Sequence, residues 1–156
     1  MDNDGKFLRK AIDLAVAGIR KGGGPFAAII TLNDNIVAAA GNRVVLTGDP
    51  TAHAEILAIR EAALKLKTHN LSRCVLYTTC EPCPMCLGAI YWAGIKKVVY
   101  ASDRHDAAEA GFSDNSIYKE VILEPSNREI EFLQLNEPDA KKVFAIWEEY
   151  ENRILY

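Results

Sequence analysis

Residues 74–101, CVLYTTCEPCPMCLGAIYWAGIKKVVYA, decide how this chain folds. CVLYTT at 74–79 has the length and β-branched and aromatic content of a buried strand, and KVVYA at 97–101 has the same character. Between them, a proline-flanked start near Pro82 opens an apolar segment that closes near Gly94, a helix by its length and punctuation. Strand, helix and strand in that order predict a β-α-β unit with its two strands parallel.

Working upstream, Asp49-Pro50-Thr51 reads as a helix start, and the helix it opens runs to about Lys67 with Ile56, Ile59, Ala63 and Leu66 on one face. Before it, FAAIITL at 26–32 and IVAAA at 36–40 flank the turn Asn33-Asp34-Asn35, a hairpin. Phe7, Leu8, Ala11, Ile12, Ala15 and Ile19 recur at helical spacing over residues 6–20, and Gly22-Gly23-Gly24-Pro25 stops that helix. Downstream, 102–128 is polar and irregular, a short strand is expected at 130–135, and 138–151 reads as a helix. The order αββαβαβ implies an α/β fold with a mixed sheet and helices on both faces. No linker composition interrupts it, so residues 1–156 read as one domain.

The bulk composition narrows the function classes. A chain of 156 residues, 49% apolar and 25% charged, is an ordinary globular domain. Its net charge of −3 argues against a partner gripped through phosphates. No apolar run reaches the ~20 residues that span a bilayer. The N-terminus lacks the apolar core of a signal peptide, so the expected location is the cytoplasm. In that reducing compartment the four cysteines, Cys74, Cys80, Cys83 and Cys86, read as metal ligands or buried thiols rather than disulfides.

His53-Ala54-Glu55 and Pro82-Cys83-Pro84-Met85-Cys86 carry the chemistry. Cys83 and Cys86 stand three apart at a helix start, so both thiols project to one side. A C-x2-C pair is a common zinc half-site, and one imidazole makes three ligands, leaving a fourth position open for water. Two thiolates balance the charge of Zn2+. Both ligand groups lie at predicted helix starts, where the positive end of the helix favours thiolate. Zinc lowers the pKa of bound water to about 7, and Glu55, two residues from His53, can accept and pass on a proton. Two other readings remain. Cys80, Cys83 and Cys86 with His53 could close a structural Cys3His site, and the same run resembles part of an iron–sulfur motif whose next cysteine would stand at 90, where this chain has Ile90. The open catalytic site is favoured because it gives Glu55 and the proline before Cys83 a role.

These residues match the H-x-E and P-C-x-x-C signature of zinc deaminases. From residue 7 to about 102, through Gly24-Pro25-Phe26, Asn42, His53-Ala54-Glu55 and the 80–86 block, the chain resembles the cytidine-deaminase-like superfamily. That resemblance implies a three-layer α/β/α fold around a five-stranded mixed sheet. It implies one zinc held by His53, Cys83 and Cys86, with Glu55 as general acid–base and Cys74 and Cys80 as core thiols. Residues 106–120, DAAEAGFSDNSIYKE, resemble the bacterial guanine deaminases of this fold. They differ from the glycine- and serine-rich stretch of tRNA adenosine deaminases. The implied reaction is attack of water at C2 of guanine, giving xanthine and ammonia, with Asp114 as a second proton carrier. Phe26, Asn42, Ala54, Trp92 and Tyr156 are the implied substrate contacts: Phe26 against the base face, Asn42 donating and accepting at a base edge. The 87–95 helix is apolar all round and so expected to be buried on every side, more cover than one domain this small is expected to supply. With the resemblance, this implies a homodimer in which the segment of about 138–156 crosses to the partner and Tyr156 closes the partner's site. A tRNA adenosine or cytosine deaminase is the alternative enzyme, and a zinc-stapled binding module the alternative without catalysis.

Overall fold

The structure, a computed structural model, describes residues 3–155. It falls into two compact units, Met1–Asp114 and Asn115–Tyr156. The first begins with helix α1 (Asn3–Ile19) and continues through β1 (Ala27–Leu32), β2 (Asn35–Gly41), a one-turn helix α2 (Val44–Thr47) and α3 (Ala54–Leu66). Then come β3 (Cys74–Cys80), α4 (Pro84–Trp92), β4 (Lys97–Ser102) and α5 (Arg104–Glu109). The strands form a mixed sheet in the order β2-β1-β3-β4, antiparallel at the first two junctions and parallel between β3 and β4. The parallel pair is the one read from 74–101. The β1–β2 turn places Asn33 and Asp34 at φ 50° and 60°, the twist that lets a two-residue loop join antiparallel strands.

Alternation along the strands sorts the core into two faces. Ile29 and Tyr77, paired across β1 and β3, meet Phe7 and Ala11 of α1. Ala28, Ile30 and Leu76 point the other way and pack with Ala54, Ala58 and Ala62 of α3 and Ile90 of α4. Alanines on the α3 face let that helix lie close to the sheet.

Several expectations need correction. The sheet has four strands among the described residues, not five. Residues 130–135 form no ladder, and Ile130, Phe132, Leu133 and Leu135 are exposed. An apolar run becomes a strand only by pairing its backbone. Helix α3 starts at Ala54 rather than beside Pro50, because Asp49 Oδ1 accepts from both the backbone N–H and the hydroxyl of Thr51 and folds 49–52 into a turn. Likewise α4 starts at Pro84, so Pro84 rather than Pro82 takes the first helical position. In the single chain, α4 turns Cys86 and Ile90 to the core and leaves Tyr91 and Trp92 78% and 70% exposed, an apolar surface that one subunit does not cover.

The 102–128 stretch is more regular than its polarity suggested, holding α5, α6 (Asn115–Glu120) and a 3-10 turn at Pro125–Asn127. In the second unit, the C-terminal helix α7 spans Lys142–Glu149, shorter than 138–151, since Lys142 is engaged with Asp139 one turn before it. No helix among the described residues is long and apolar enough to cross a membrane.

Candidate active site

Two helix starts meet at one end of the sheet. His53 is the residue before α3 and Cys83 the residue before α4, both with extended backbone, and Cys86 lies one turn into α4. His53 Nδ1 stands 3.6 Å from Cys83 Sγ and 3.6 Å from Cys86 Sγ. A tetrahedral ion bonded at about 2.0–2.1 Å to nitrogen and about 2.3 Å to sulfur sets those atoms about 3.6 Å apart. The donor set therefore fits zinc in kind and in spacing, and these three residues form the metal-holding cluster among the described residues.

The electrostatics suit a cation. Cys83 is held well below the ordinary thiol range, foremost by the hydrogen bond from Cys86 and then, against its own burial, by His53. Cys86 is pushed up by the same hydrogen bond and by burial. The lowered Cys83 suits a cation, and the N-terminus of α4 favours thiolate there. Cys80 stands apart. It is buried and hydrogen-bonds the carbonyl of Asp103 at 3.4 Å. Burial pushes its thiol up to about 11. That leaves the Cys3His reading without its third sulfur. Cys74 is a core residue beneath α3.

Glu55 is 5% exposed. Its Oε1 accepts from the Thr78 hydroxyl at 2.7 Å, and its Oε2 accepts from Cys86 Sγ at 3.4 Å. Burial raises its proton affinity above the usual carboxylate range, and these hydrogen bonds oppose the rise. The result is a carboxyl group beside the ligand atoms, aimed by a hydroxyl from β3, its proton affinity raised by burial. Thr78 was not anticipated. Its signal was present: positions 74, 76, 78 and 80 share one face of β3, and 78 is a polar residue among apolar ones.

The expected substrate contacts separate into those the fold gathers and those it does not. Asn42 N donates to the carbonyl of Phe26 at 2.8 Å, and Arg43 N donates to Ala52 at 3.0 Å, so the end of β2 is tied both to Phe26 and to the loop entering His53. Asn42 Oδ1 accepts from Val44 N at 3.2 Å. A Cβ on Gly24 would stand 3.0 Å from that same Oδ1, so the glycine lets the chain lie against the Asn42 amide. Ala54, fully buried, is the first residue of α3, whose N–H has no carbonyl to reach within its helix. Phe26 meets Phe112 edge to face, ring centroids 5.0 Å apart. Phe112, within the 106–120 segment, gains its role from this contact. Asp114 is partly buried. Burial raises its carboxyl, with Cys83 and Glu81 adding to the rise and Arg104 opposing it. Trp92 is exposed at the end of α4, and Tyr156 lies outside the described residues.

An imidazole, two thiols and a buried carboxyl at the joined ends of two helices define the metal-assisted hydrolase centre of a deaminase. Residues 1–102 match the cytidine and deoxycytidylate deaminase zinc-binding region, and the chain belongs to that family. Zinc is accordingly its cofactor. The chain is 47% identical to guanine deaminase of Bacillus subtilis over 155 residues, 99% of each chain. It superposes on the X-ray structure of the Bacillus subtilis enzyme with a TM-score of 0.94, covering 97% of both chains at 47% identity. It is also 44% identical to a tRNA-specific adenosine deaminase of Aquifex aeolicus, over 96 residues, 62% of this chain and 64% of that one.

Proposed function

We propose that this protein is a zinc-dependent guanine aminohydrolase, converting guanine and water to xanthine and ammonia. The supporting observation is the level of likeness over the whole length. Identity to the guanine enzyme is 47% over 99% of the chain, the Phe112 and Asp114 segment included, against 35% over 92% of the chain for a tRNA-specific adenosine deaminase of Buchnera aphidicola.

Zinc, when bound by His53, Cys83 and Cys86, supplies a Lewis acid that makes water nucleophilic near neutral pH. The chain's residues do the rest. Glu55 takes the proton released as water adds to C2 and returns it to a ring nitrogen, its burial keeping it a competent acid as well as a base. Asp114, whose carboxyl is also raised, delivers a proton to the leaving amine and regains one from the C2 hydroxyl as it becomes the carbonyl, so the two proton transfers need not share one carboxylate. Asn42 presents its amide to the base edge, the Val44 N–H fixing which way the oxygen points. Phe26 takes the ring face, and Ala54 offers its backbone amide to an acceptor on the substrate.

The working enzyme is a cytoplasmic homodimer, both units of the chain serving one deaminase domain. The exposed apolar side chains Tyr91 and Trp92 on α4, and Val143, Phe144 and Ile146 on α7, support association. In this reading residues 138–156 exchange between subunits, with Trp92 and Tyr156 at the partner's site.

The test is ammonia release by the zinc-loaded protein from guanine, cytosine, cytidine and adenine. Guanine should be turned over, and turnover of a pyrimidine without guanine would overturn the substrate. Glu55→Gln should abolish release while zinc stays bound, whereas a zinc-stapled binding module would be indifferent to that change.

A further inference from the structure

Asp114 lies far along the chain from the ligands, yet its carboxyl feels the charges of Cys83 and Glu81. The backbone between them shows how it is held. The last β3–β4 pair is Cys80 with Ser102, and Glu81 N extends the ladder by donating to Ser102 at 2.8 Å. The Glu81 side chain then turns to the next element. Its Oε2 accepts from the backbone N–H of Arg104, the first residue of α5, at 3.2 Å.

From that point α5 is fixed at both ends. Asp103 accepts from the amides of His105 and Asp106 while Asp106 Oδ2 accepts from Asp103 N, a reciprocal cap. At the other end Phe112 N reaches Ala107 at 2.9 Å and Gly111 N reaches Ala108 at 3.0 Å, with Gly111 at φ 92°. That pair of bonds around a left-handed glycine reverses the chain in one defined way. With both ends determined, the placement of Phe112 and Asp114 relative to the metal ligands reduces to how α5 is registered on the 81–83 turn.

We propose that Glu81 is a positioning residue. Its carboxylate, two residues before Cys83, registers α5 on the ligand-bearing turn and thereby places Asp114 beside the substrate amine. This rests on the assignment of Asp114 as proton carrier.

Glutamine keeps both the reach and the acceptor oxygen but loses the charge, while aspartate keeps the charge and withdraws the acceptor by one methylene. The registering role predicts that Glu81→Gln stays within about threefold of wild-type kcat on guanine, the hydrogen bond being retained. Glu81→Asp should lose roughly 10- to 100-fold in kcat with full zinc content, as expected for a misplaced catalytic group. In an Asp114→Asn background, Glu81→Asp should cost no more than about twofold further, because the group it positions is already gone. The opposite ranking of the two variants, losses that multiply with Asp114→Asn, or loss of zinc from Glu81→Asp would each overturn the proposal. Wild-type kinetics in Asp114→Asn alone would instead remove Asp114 from the reaction. That failure is read from the single variant, before any Glu81 result is considered.

Discussion

Thr78→Val isolates the one contact that aims Glu55. Valine has nearly the shape of threonine, and Thr78 is fully buried, paired with Ala28 on β1 and Tyr100 on β4. The substitution therefore removes a hydroxyl donor and little else. A hydrogen bond to a charged group contributes roughly 1.5–3 kcal/mol. Its loss takes a donor from the ionised carboxylate and so raises Glu55 further. The sign follows from the present balance: burial raises Glu55, and the Thr78 bond is the largest effect opposing it.

The measurement is kcat/KM for guanine against pH, on zinc-loaded wild type, Thr78→Val and Thr78→Ser. The acidic limb should move to higher pH in the valine variant. It should stay in place for serine, which keeps the donor. The metal is common to all three proteins, so it cancels from the comparison. Thermal unfolding near neutral pH should fall by roughly 3–12 °C, at about 2–4 °C per kcal/mol for a chain of this size. Zinc content should not change, since no ligand atom touches Thr78. Superimposable pH profiles for all three proteins at equal zinc content would refute the reasoning and leave Thr78 as a core packing residue.

Gly111→Ala should lower stability by about 1–2 kcal/mol, read by urea unfolding. An added Cβ meets nothing within 4 Å, so the cost comes from the left-handed backbone alone, at φ 92°. Asp4→Asn tests the anchor of α1, where Asp4 accepts from Lys97 at 2.6 Å and from the Tyr77 hydroxyl at 2.8 Å. Lys97 foremost, and then Tyr77, hold the Asp4 carboxyl below its ordinary 3.8, so its contribution to stability is complete above that pH and fades as pH falls through the lowered folded value. The melting temperature of Asp4→Asn should lie below wild type at neutral pH, and the two should converge in acid below that range.

The legible parts of the sequence were those where one residue's chemistry is sufficient. His53, Glu55, Cys83 and Cys86 are intelligible as types at a spacing, and the β-α-β unit carrying two of them follows from apolar runs and proline. The structure brings those four side chains together. What escaped depends on pairings between distant segments. Thr78 gains its role from Glu55, 23 residues away, and Glu81 from the Arg104 amide, also 23 residues away. The same limit explains the fifth strand. Residues 130–135 have strand-like composition, but a ladder needs a second backbone, and composition does not supply one. Asp49-Pro50-Thr51 failed differently: Asp49 spent its acceptor on Thr51, two residues on, and so folded a turn where a helix start was expected.

The geometry also separates two kinds of loss that a single activity assay would merge. The ligands come from the first residues of two helices, where unsatisfied amides and aligned dipoles favour anionic sulfur, and they are fixed by α3 and α4 packing on one sheet face. The proton carriers are held by other means: Glu55 by a hydroxyl on β3, and Asp114, in our proposal, by a helix registered through Glu81. A buried carboxylate beside two sulfurs is costly unless its charge is met. The Thr78 hydroxyl meets part of that charge. Substitutions that loosen α3 or α4 should therefore lose metal and turnover together. Those at Thr78, Glu81 or Asp114 should lose turnover with the metal in place. A variant of the second group whose zinc content fell in step with its activity would mean that ligand placement and proton transfer are not independent in this fold.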